Sequence, residues 1–336
     1  MKKQSELVLM VGIPGCGKST FRERFLPYHY PINLDSIHNF LAQGKGFDRK
    51  NLTLGRDLER IMIEDRLSQN IPTVVDNTNI NVEKRQKYFE WAKEYGAQVI
   101  AVNFTPNAKT AIAQNNQRER RVPEVAIRKM LKDYQAPTAS EGFEKIIDAA
   151  NPIGLTGTKP AIFLDRDGVI FVTHIDGKSY FVNKPEEIRY LPKVFDGLRA
   201  LSAKGYGMYL VSNQGPVGLG KLSEEELGRI HAKMLDDFKA EGVSLSGIYC
   251  CIHAPKDGCV CRKPSTGLII LAAREHNLDV AKSFMIGDMT SDIALGRRLK
   301  MSTILLETGY GGKDGKFDVN STYLAKDLLV ASSFIN

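Results

Sequence analysis

The sequence predicts two α/β domains in tandem, each built on a parallel sheet with helices on its faces, and three observations carry that expectation. Apolar runs of strand length alternate with stretches of helical periodicity along the 336 residues. Two loops that directly follow apolar runs, GIPGCGKS at 12–19 and DRDG at 165–168, concentrate chemistry-bearing residues where such sheets hold their ligands. Between them, NPIGLTGTKP at 151–160 gathers two prolines and two glycines, a breaker signal. The expected organisation is therefore a first domain over 1–151, a linker over 152–158 and a second domain over 159–336.

Composition sets bounds. With 43% hydrophobic and 25% charged residues the chain reads as an ordinary globular protein, long enough for two domains of about 100–200 residues. The longest early apolar run, Leu7 to Val11, is shorter than the core of a signal peptide, about 7–15 residues, and nothing approaches the ~20 apolar residues of a membrane span. A cytoplasmic location without membrane contact is the expectation. The net charge is +7, and residues 1–150 hold 23 basic and 18 acidic side chains. That bias permits an anionic substrate without requiring one.

In the first domain ELVLMVG, PTVVDN and AQVIAVNFT read as buried parallel strands, and KSTFRERFL, GRDLERIMIEDRLSQ and VEKRQKYFEWAKEY as helices. In the second, AIFLD, MYLVSNQ, FMIGD and STILLET read as strands. A long helix is expected from about Ser223 to Glu241, with Ser223 and Glu226 as a capping box and Gly242 as its stop.

Gly12 to Ser19 fits G-x-x-x-x-G-K-[ST] between a strand and a helix, the context of a P-loop. Gly12, Gly15 and Gly17 let backbone N–H groups turn onto phosphates. Lys18 reaches the β- and γ-oxygens, Ser19 can ligate Mg²⁺, and Thr20 follows in the cradle. The ligand expected is ATP with Mg²⁺. Phosphoryl transfer also needs a base for the accepting hydroxyl and cations around the moving phosphate. Asp35 in PINLDSIHN is the candidate base, with a helix N-cap as its alternative role. Arg118, Arg120 and Arg121 in QNNQRERRVP are either a solvated charged face or a lid that clamps phosphate. Asp76 could hold Mg²⁺ through water or bond the turn that follows it. Tyr28, Tyr30, Phe40 and Phe47 could stack on bases or belong to the core.

The P-loop, INLD, VVDNTN with EKRQKYFEWAKEYG, NNQRERRVP and YQAPTASEGFEKI together resemble the 5′-kinase domain of polynucleotide kinase/phosphatases over nearly all of residues 5–147. The resemblance implies that Asp35 activates a 5′-hydroxyl and that the lid arginines contact the transferred phosphate. Leu34 stands where relatives often carry Arg, so contact with the acceptor's own phosphate is expected to be either weaker or supplied elsewhere.

In the second domain Asp165-Arg-Asp167-Gly at a strand end is followed in order by Ser212, Lys263 in CRKP, and Asp288 with Asp292 in MIGDMTSD. These residues fit an aspartyl-phosphate mechanism. Asp165 attacks phosphorus, and Asp167 protonates the leaving oxygen and later activates water. Asp165, the Asp167 carbonyl and Asp288 hold Mg²⁺, while Ser212 and Lys263 neutralise the remaining oxygens. The set is the signature of the haloacid dehalogenase superfamily.

Cys251, His253, Cys259 and Cys261 offer four soft ligands at metal-site spacing, enough for a structural Zn²⁺ that would pin the loop delivering Arg262 and Lys263. A chance cluster of buried thiols is the alternative. Cys250 is expected to be a core residue at a strand end. This loop, with DRDGVI and SNQGPVGLG, looks like the histidinol-phosphatase and heptose-bisphosphate-phosphatase branch over about residues 159–312. Neither interval between Gly168, Ser212 and Lys263 has room for a folded cap, so an open phosphatase site is expected.

A 5′-hydroxyl kinase joined to an open 3′-phosphatase, acting on DNA or RNA ends ahead of a ligase, is the function expected. A small-metabolite kinase joined to a sugar-phosphate phosphatase is the rival, and a binding module with a vestigial phosphatase is the third reading.

Overall fold

The computed structural model describes residues 5–44, 48–117, 121–150 and 157–336 apart from 176–177. The chain forms two compact units, Met1–Leu155 and Thr156–Asn336. Most of the expected linker, and both Arg118 and Arg120, lie outside the described residues.

The first unit runs β1 (Glu6–Val11), α1 (Lys18–Phe25), β2 (Tyr30–Ile32), α2 (Leu34–Leu41), α3 (Leu52–Ser68), β3 (Thr73–Val75), α4 (Val82–Glu94), β4 (Gln98–Asn103), α5 (Ala108–Asn116), α6 (Glu124–Lys132) and β5 (Lys145–Asp148). Its sheet has the order β2-β3-β1-β4-β5, parallel throughout. Leu7 to Val11 of β1 are fully buried, as a central strand covered on both faces must be. On α3, Gly55, Glu59, Ile63 and Leu67 recur every four residues and form its buried stripe.

The second unit runs β6 (Ala161–Leu164), β7 (His174–Ile175), β8 (Lys178–Ser179), α7 (Val194–Ser202), β9 (Gly207–Asn213), α8 (Gly215–Gly218), α9 (Glu224–Ala240), β10 (Gly247–Cys251), α10 (Gly267–His276), β11 (Phe284–Gly287), α11 (Thr290–Arg298), β12 (Ser302–Leu306), β13 (Tyr323–Ala325) and α12 (Leu328–Ser332). Six parallel strands stand in the order β10-β9-β6-β11-β12-β13, and β7 and β8 form a small antiparallel hairpin. Helix α9 seals its side of the core with Leu227, Ile230, Met234 and Phe238.

The expected strands and long helix are present, with one correction. Ser223 Oγ accepts the Glu226 N–H at 3.0 Å, but the Glu226 carboxylate turns to Arg229 instead of completing a capping box. Gly242 ends the helix at φ 72°, the left-handed conformation that glycine adopts without strain.

Candidate active sites

In the first unit the P-loop leaves the carboxyl end of the central strand β1 and enters α1. A Cβ on Gly12 would come within 2.6 Å of Cys16 Sγ and 2.8 Å of the Phe104 side chain, so the turn tolerates only glycine. Gly17 begins α1 at φ 90° with no side chain capping the helix. The N-cap thus carries no side chain of its own to compete with a polyphosphate for the first-turn N–H groups. Lys18 Nζ folds back onto the Gly12 and Ile13 carbonyls at 2.9 and 3.0 Å. Ser19 Oγ donates to Asp76 Oδ2 at 3.2 Å, so Asp76 turns toward the P-loop, where the two oxygens could flank a cation bound with nucleotide.

Asn33, and not Asp35, caps α2, accepting the Ser36 N–H at 3.0 Å. Asp35 is left in the first turn, exposed, with no hydrogen bond or ion pair among the described residues, and it lines the same cavity of about 870 Å³ as Lys18, Ser19 and Thr20. Arg56 and Lys84 line that cavity as exposed cations. Lys87 is already engaged by the buried Glu59. Arg121 is exposed. Tyr28, Tyr30 and Phe40 are exposed and none lines the cavity, while Phe47 lies outside the described residues.

The segment APTASEGF is held from beneath. Arg85, fully buried on α4, meets both carboxylate oxygens of Glu141 at 2.7 and 2.8 Å and donates to the Asn79 and Gln135 carbonyls. Phe143 packs against Phe89 at 4.8 Å. Both partners stand in the segments quoted above, yet the sequence carries no signal that they pair.

In the second unit Asp165 follows β6 at the sheet centre, Ser212 lies near the end of β9, and Asp288 follows β11. Lys263 Nζ bridges Asp165 at 2.8 Å and Asp292 at 2.7 Å. Carboxylate oxygens of Asp165, Asp288 and Asp292 lie within 4.8 Å of one another, all buried. Burial, then the neighbouring carboxylates against Lys263, raises Asp165 to about 7. Burial and the Asp165 and Asp292 charges raise Asp288 to about 8. Burial alone would depress the Lys263 ammonium, but the two aspartates outweigh it and hold it raised.

Three buried carboxylates facing one ammonium leave negative charge to be neutralised. Asp288 Oδ1 has no hydrogen-bond partner among the described residues, whereas its Oδ2 accepts the Tyr310 N–H at 2.8 Å. The donor set is all oxygen, which fits Mg²⁺. The Asp167 side chain stands outside this cluster, bound to Arg166 and Gln214. Sequence reading missed Gln214, although SNQ at a strand end was its signal, and left Asp292 out of the metal set.

Cys251, His253, Cys259 and Cys261 converge. Cys251 Sγ lies 3.6 Å from Cys259 and 3.3 Å from Cys261, and His253 Nδ1 lies 3.2 Å from Cys261 and 3.8 Å from Cys251. A tetrahedron with ~2.3 Å metal–sulfur bonds has edges of about 3.8 Å, so the donors are close to ligating positions. Cys250 points away, toward His231 at 3.9 Å.

A P-loop cradle whose cavity an exposed carboxylate also lines, and an Asp-Lys-Asp cluster at the centre of a second parallel sheet, define a phosphotransferase domain joined to an aspartate-based phosphatase domain. Comparison with known proteins agrees. The AAA domain family matches residues 7–137 and the HAD-hydrolase-like family matches 260–331. A D-glycero-beta-D-manno-heptose-1,7-bisphosphate 7-phosphatase of Helicobacter pylori is 38% identical over 150 residues, 44% of this chain and 84% of that protein. The chain belongs to the haloacid dehalogenase-like phosphatase family through its second unit, fused to an N-terminal P-loop kinase domain. Among solved structures, the D,D-heptose 1,7-bisphosphate phosphatase of B. bronchiseptica is 30% identical and covers 52% of this chain and 97% of its own, TM-score 0.47. A chain of the Pnkp1/Rnl/Hen1 RNA repair complex is 15% identical and covers 91% of this chain and 96% of its own, TM-score 0.35.

Proposed function

We propose that this kinase/phosphatase fusion repairs nucleic-acid ends, phosphorylating 5′-hydroxyls with ATP and removing 3′-phosphates. The observation that carries the reading is Asp35, a carboxylate unpaired among the described residues, in the same cavity as Lys18 and Ser19, within segments that resemble polynucleotide 5′-kinases. In the kinase step the acceptor proton passes to Asp35 as the acceptor oxygen bonds the γ-phosphorus and the bond to the ADP oxygen breaks. Lys18 and the P-loop N–H groups hold the phosphates, and Arg118 and Arg120 are assigned to the transferred phosphate. Ser19 and Asp76 would hold Mg²⁺, which would supply charge neutralisation.

In the phosphatase step Asp165 bonds phosphorus and the ester bond breaks, its oxygen taking the proton of Asp167. Water then bonds phosphorus, returns a proton to Asp167 and frees Asp165. Ser212 and Lys263 hold the non-bridging oxygens. Mg²⁺ would be held by Asp165, Asp288 and the Asp167 carbonyl, lowering the negative charge that the phosphate meets. Between Gly168 and Ser212, and between Ser212 and Lys263, the described residues form a hairpin, α7, α8, α9, β10 and the cysteine loop, with no folded cap, so a strand end has access. The Cys251, His253, Cys259 and Cys261 cluster is assigned to structural Zn²⁺, and its reduced thiols suit a cytoplasmic setting. A ligase is the partner that such ends would serve.

The test is an oligonucleotide with a 5′-hydroxyl and a 3′-phosphate, given ATP and Mg²⁺ and weighed by mass spectrometry. Both ends should change, Lys18→Ala losing only the first reaction and Asp165→Asn only the second. The 38% identity to a heptose-bisphosphate phosphatase favours a second reading for the second unit alone. A 5′ end that gains phosphate while the 3′-phosphate survives would select it, and two unchanged ends would reject the polynucleotide reading altogether.

A further inference from the structure

Two buried side chains outside the Asp165, Lys263 and Asp288 cluster tie Ser212 to Asp167. Gln214, 2% exposed, sits just past β9, and Arg166, also 2% exposed, stands between the two aspartates of the DRDG turn. The Gln214 amide nitrogen donates to Ser212 Oγ at 2.7 Å and to Asp167 Oδ2 at 2.9 Å. Its amide oxygen accepts from Arg166 Nη2 at 2.9 Å. The remaining donors of Arg166 leave no freedom to turn. Nε and Nη2 go to Asp167 Oδ1 at 3.2 and 3.1 Å, Nη2 to Oδ2 at 3.0 Å, Nη1 to His231 Nε2 at 3.3 Å, and the guanidinium lies 5.1 Å from the Phe171 ring centre.

The bonding order has one consequent arrangement. Arg166 has only donors, so the amide oxygen must face it and the amide nitrogen must face Ser212 and Asp167. Because that nitrogen donates to Ser212 Oγ, the Ser212 hydroxyl directs its own hydrogen elsewhere, toward an incoming phosphate oxygen. Both Asp167 oxygens are fixed at the same time, while the side chain stays 35% exposed. One amide thus sets the phosphate donor and the proton carrier in register.

We propose that Gln214 is a positioning residue for phosphoryl transfer, oriented by Arg166, which presents the Ser212 hydroxyl to the phosphate and the Asp167 carboxyl to the ester oxygen. It acts through these two side chains and does not depend on which natural phosphate ester the enzyme hydrolyses. It does rest on Asp167 as the proton carrier.

The test compares two esters of similar shape, p-nitrophenyl phosphate, whose leaving group departs without a proton, and benzyl phosphate, whose alkoxide needs one. In the full chain with Mg²⁺, Gln214→Met keeps the volume and removes all three bonds, and Gln214→Glu keeps the acceptor for Arg166 but loses the donors. Both variants should lose on the order of 10²-fold in kcat/KM, which ends at leaving-group departure, on benzyl phosphate, the scale of general acid catalysis, and less than about tenfold on p-nitrophenyl phosphate. Asp167→Asn, run alongside, should show the same asymmetry. Equal losses on both esters in the Gln214 variants would mean that the residue does not place the proton carrier and would overturn the proposal, as would no loss at all. An Asp167→Asn variant without asymmetry would remove the proton-carrier assignment and the proposal with it. Unfolding midpoints equal to that of the parent protein make the comparison one of chemistry.

Discussion

Glu141 shows how a single residue can hold a whole segment. Its side chain is 7% exposed and Arg85, its partner, 0%, and removing one member of such a buried pair strands the other charge. Glu141→Ala should therefore destabilise the first unit by about 3 kcal/mol or more, read as a lower denaturant midpoint, and kinase activity should fall with it. The pair also has a pH signature. Burial would raise the Glu141 carboxyl, but its bonds to Arg85 and the Thr138 N–H outweigh that and hold it below its ordinary value. Its stabilisation is then complete above the unfolded value of about 4.3 and drains away as pH falls through the folded value. A steeper loss of stability with falling pH in the parent than in Glu141→Gln over the same window checks the sign. None of this was legible in the sequence, because residues 56 positions apart share no periodicity. Asp165 and Asp288 were legible, since each stands in a short motif at a strand end and the sheet need only align those ends to bring them together, and Lys263 was legible from its CRKP motif although it stands in the loop between β10 and α10.

At the scale of elements, legibility followed burial on both faces. Strands such as β1, β6 and β11 read as apolar runs because they are central, whereas β2, β5 and β13 are three or four residues with exposed positions and leave no such run. Asn33 was passed over for Asp35 as the cap of α2 because residue type alone fits either position. The cysteine loop between β10 and α10 was legible as a metal motif, and its mechanical role follows from chain distance. Lys263 lies two residues after Cys261, and its N–H and carbonyl are both held by the Asn213 side chain, at 2.9 and 3.2 Å. Loosening the loop moves the ammonium that bridges Asp165 and Asp292. Cys259→Ala should lower phosphatase activity on the order of 10²-fold, as a displacement of about 1 Å can, while kinase activity stays at the parent level. Loss of bound zinc from the purified variant, measured by elemental analysis, ties the effect to the metal. Full zinc content with lost activity would point to a direct role of the thiol.

For the whole molecule, the consequence of two cores is two stabilities. The core around Leu7, Ile63 and Tyr88 belongs to the first unit and the core around Ile162, Met234 and Ile286 to the second, and each surrounds its own site. A ligand stabilises only the cooperative unit that binds it, by RT ln(1 + [L]/Kd), or about 2.7 kcal/mol at a hundredfold excess over Kd. A calorimetric scan should then show two transitions, one of which rises by several degrees with Mg·ATP while the other stays in place. Lys18→Ala should abolish that rise, and Cys259→Ala should lower only the transition that ATP leaves unmoved. A single transition shifted as a whole by ATP would mean that the two units unfold as one. Nucleotide binding would then stabilise the phosphatase as well, and the two chemistries would share one stability despite their separate residues.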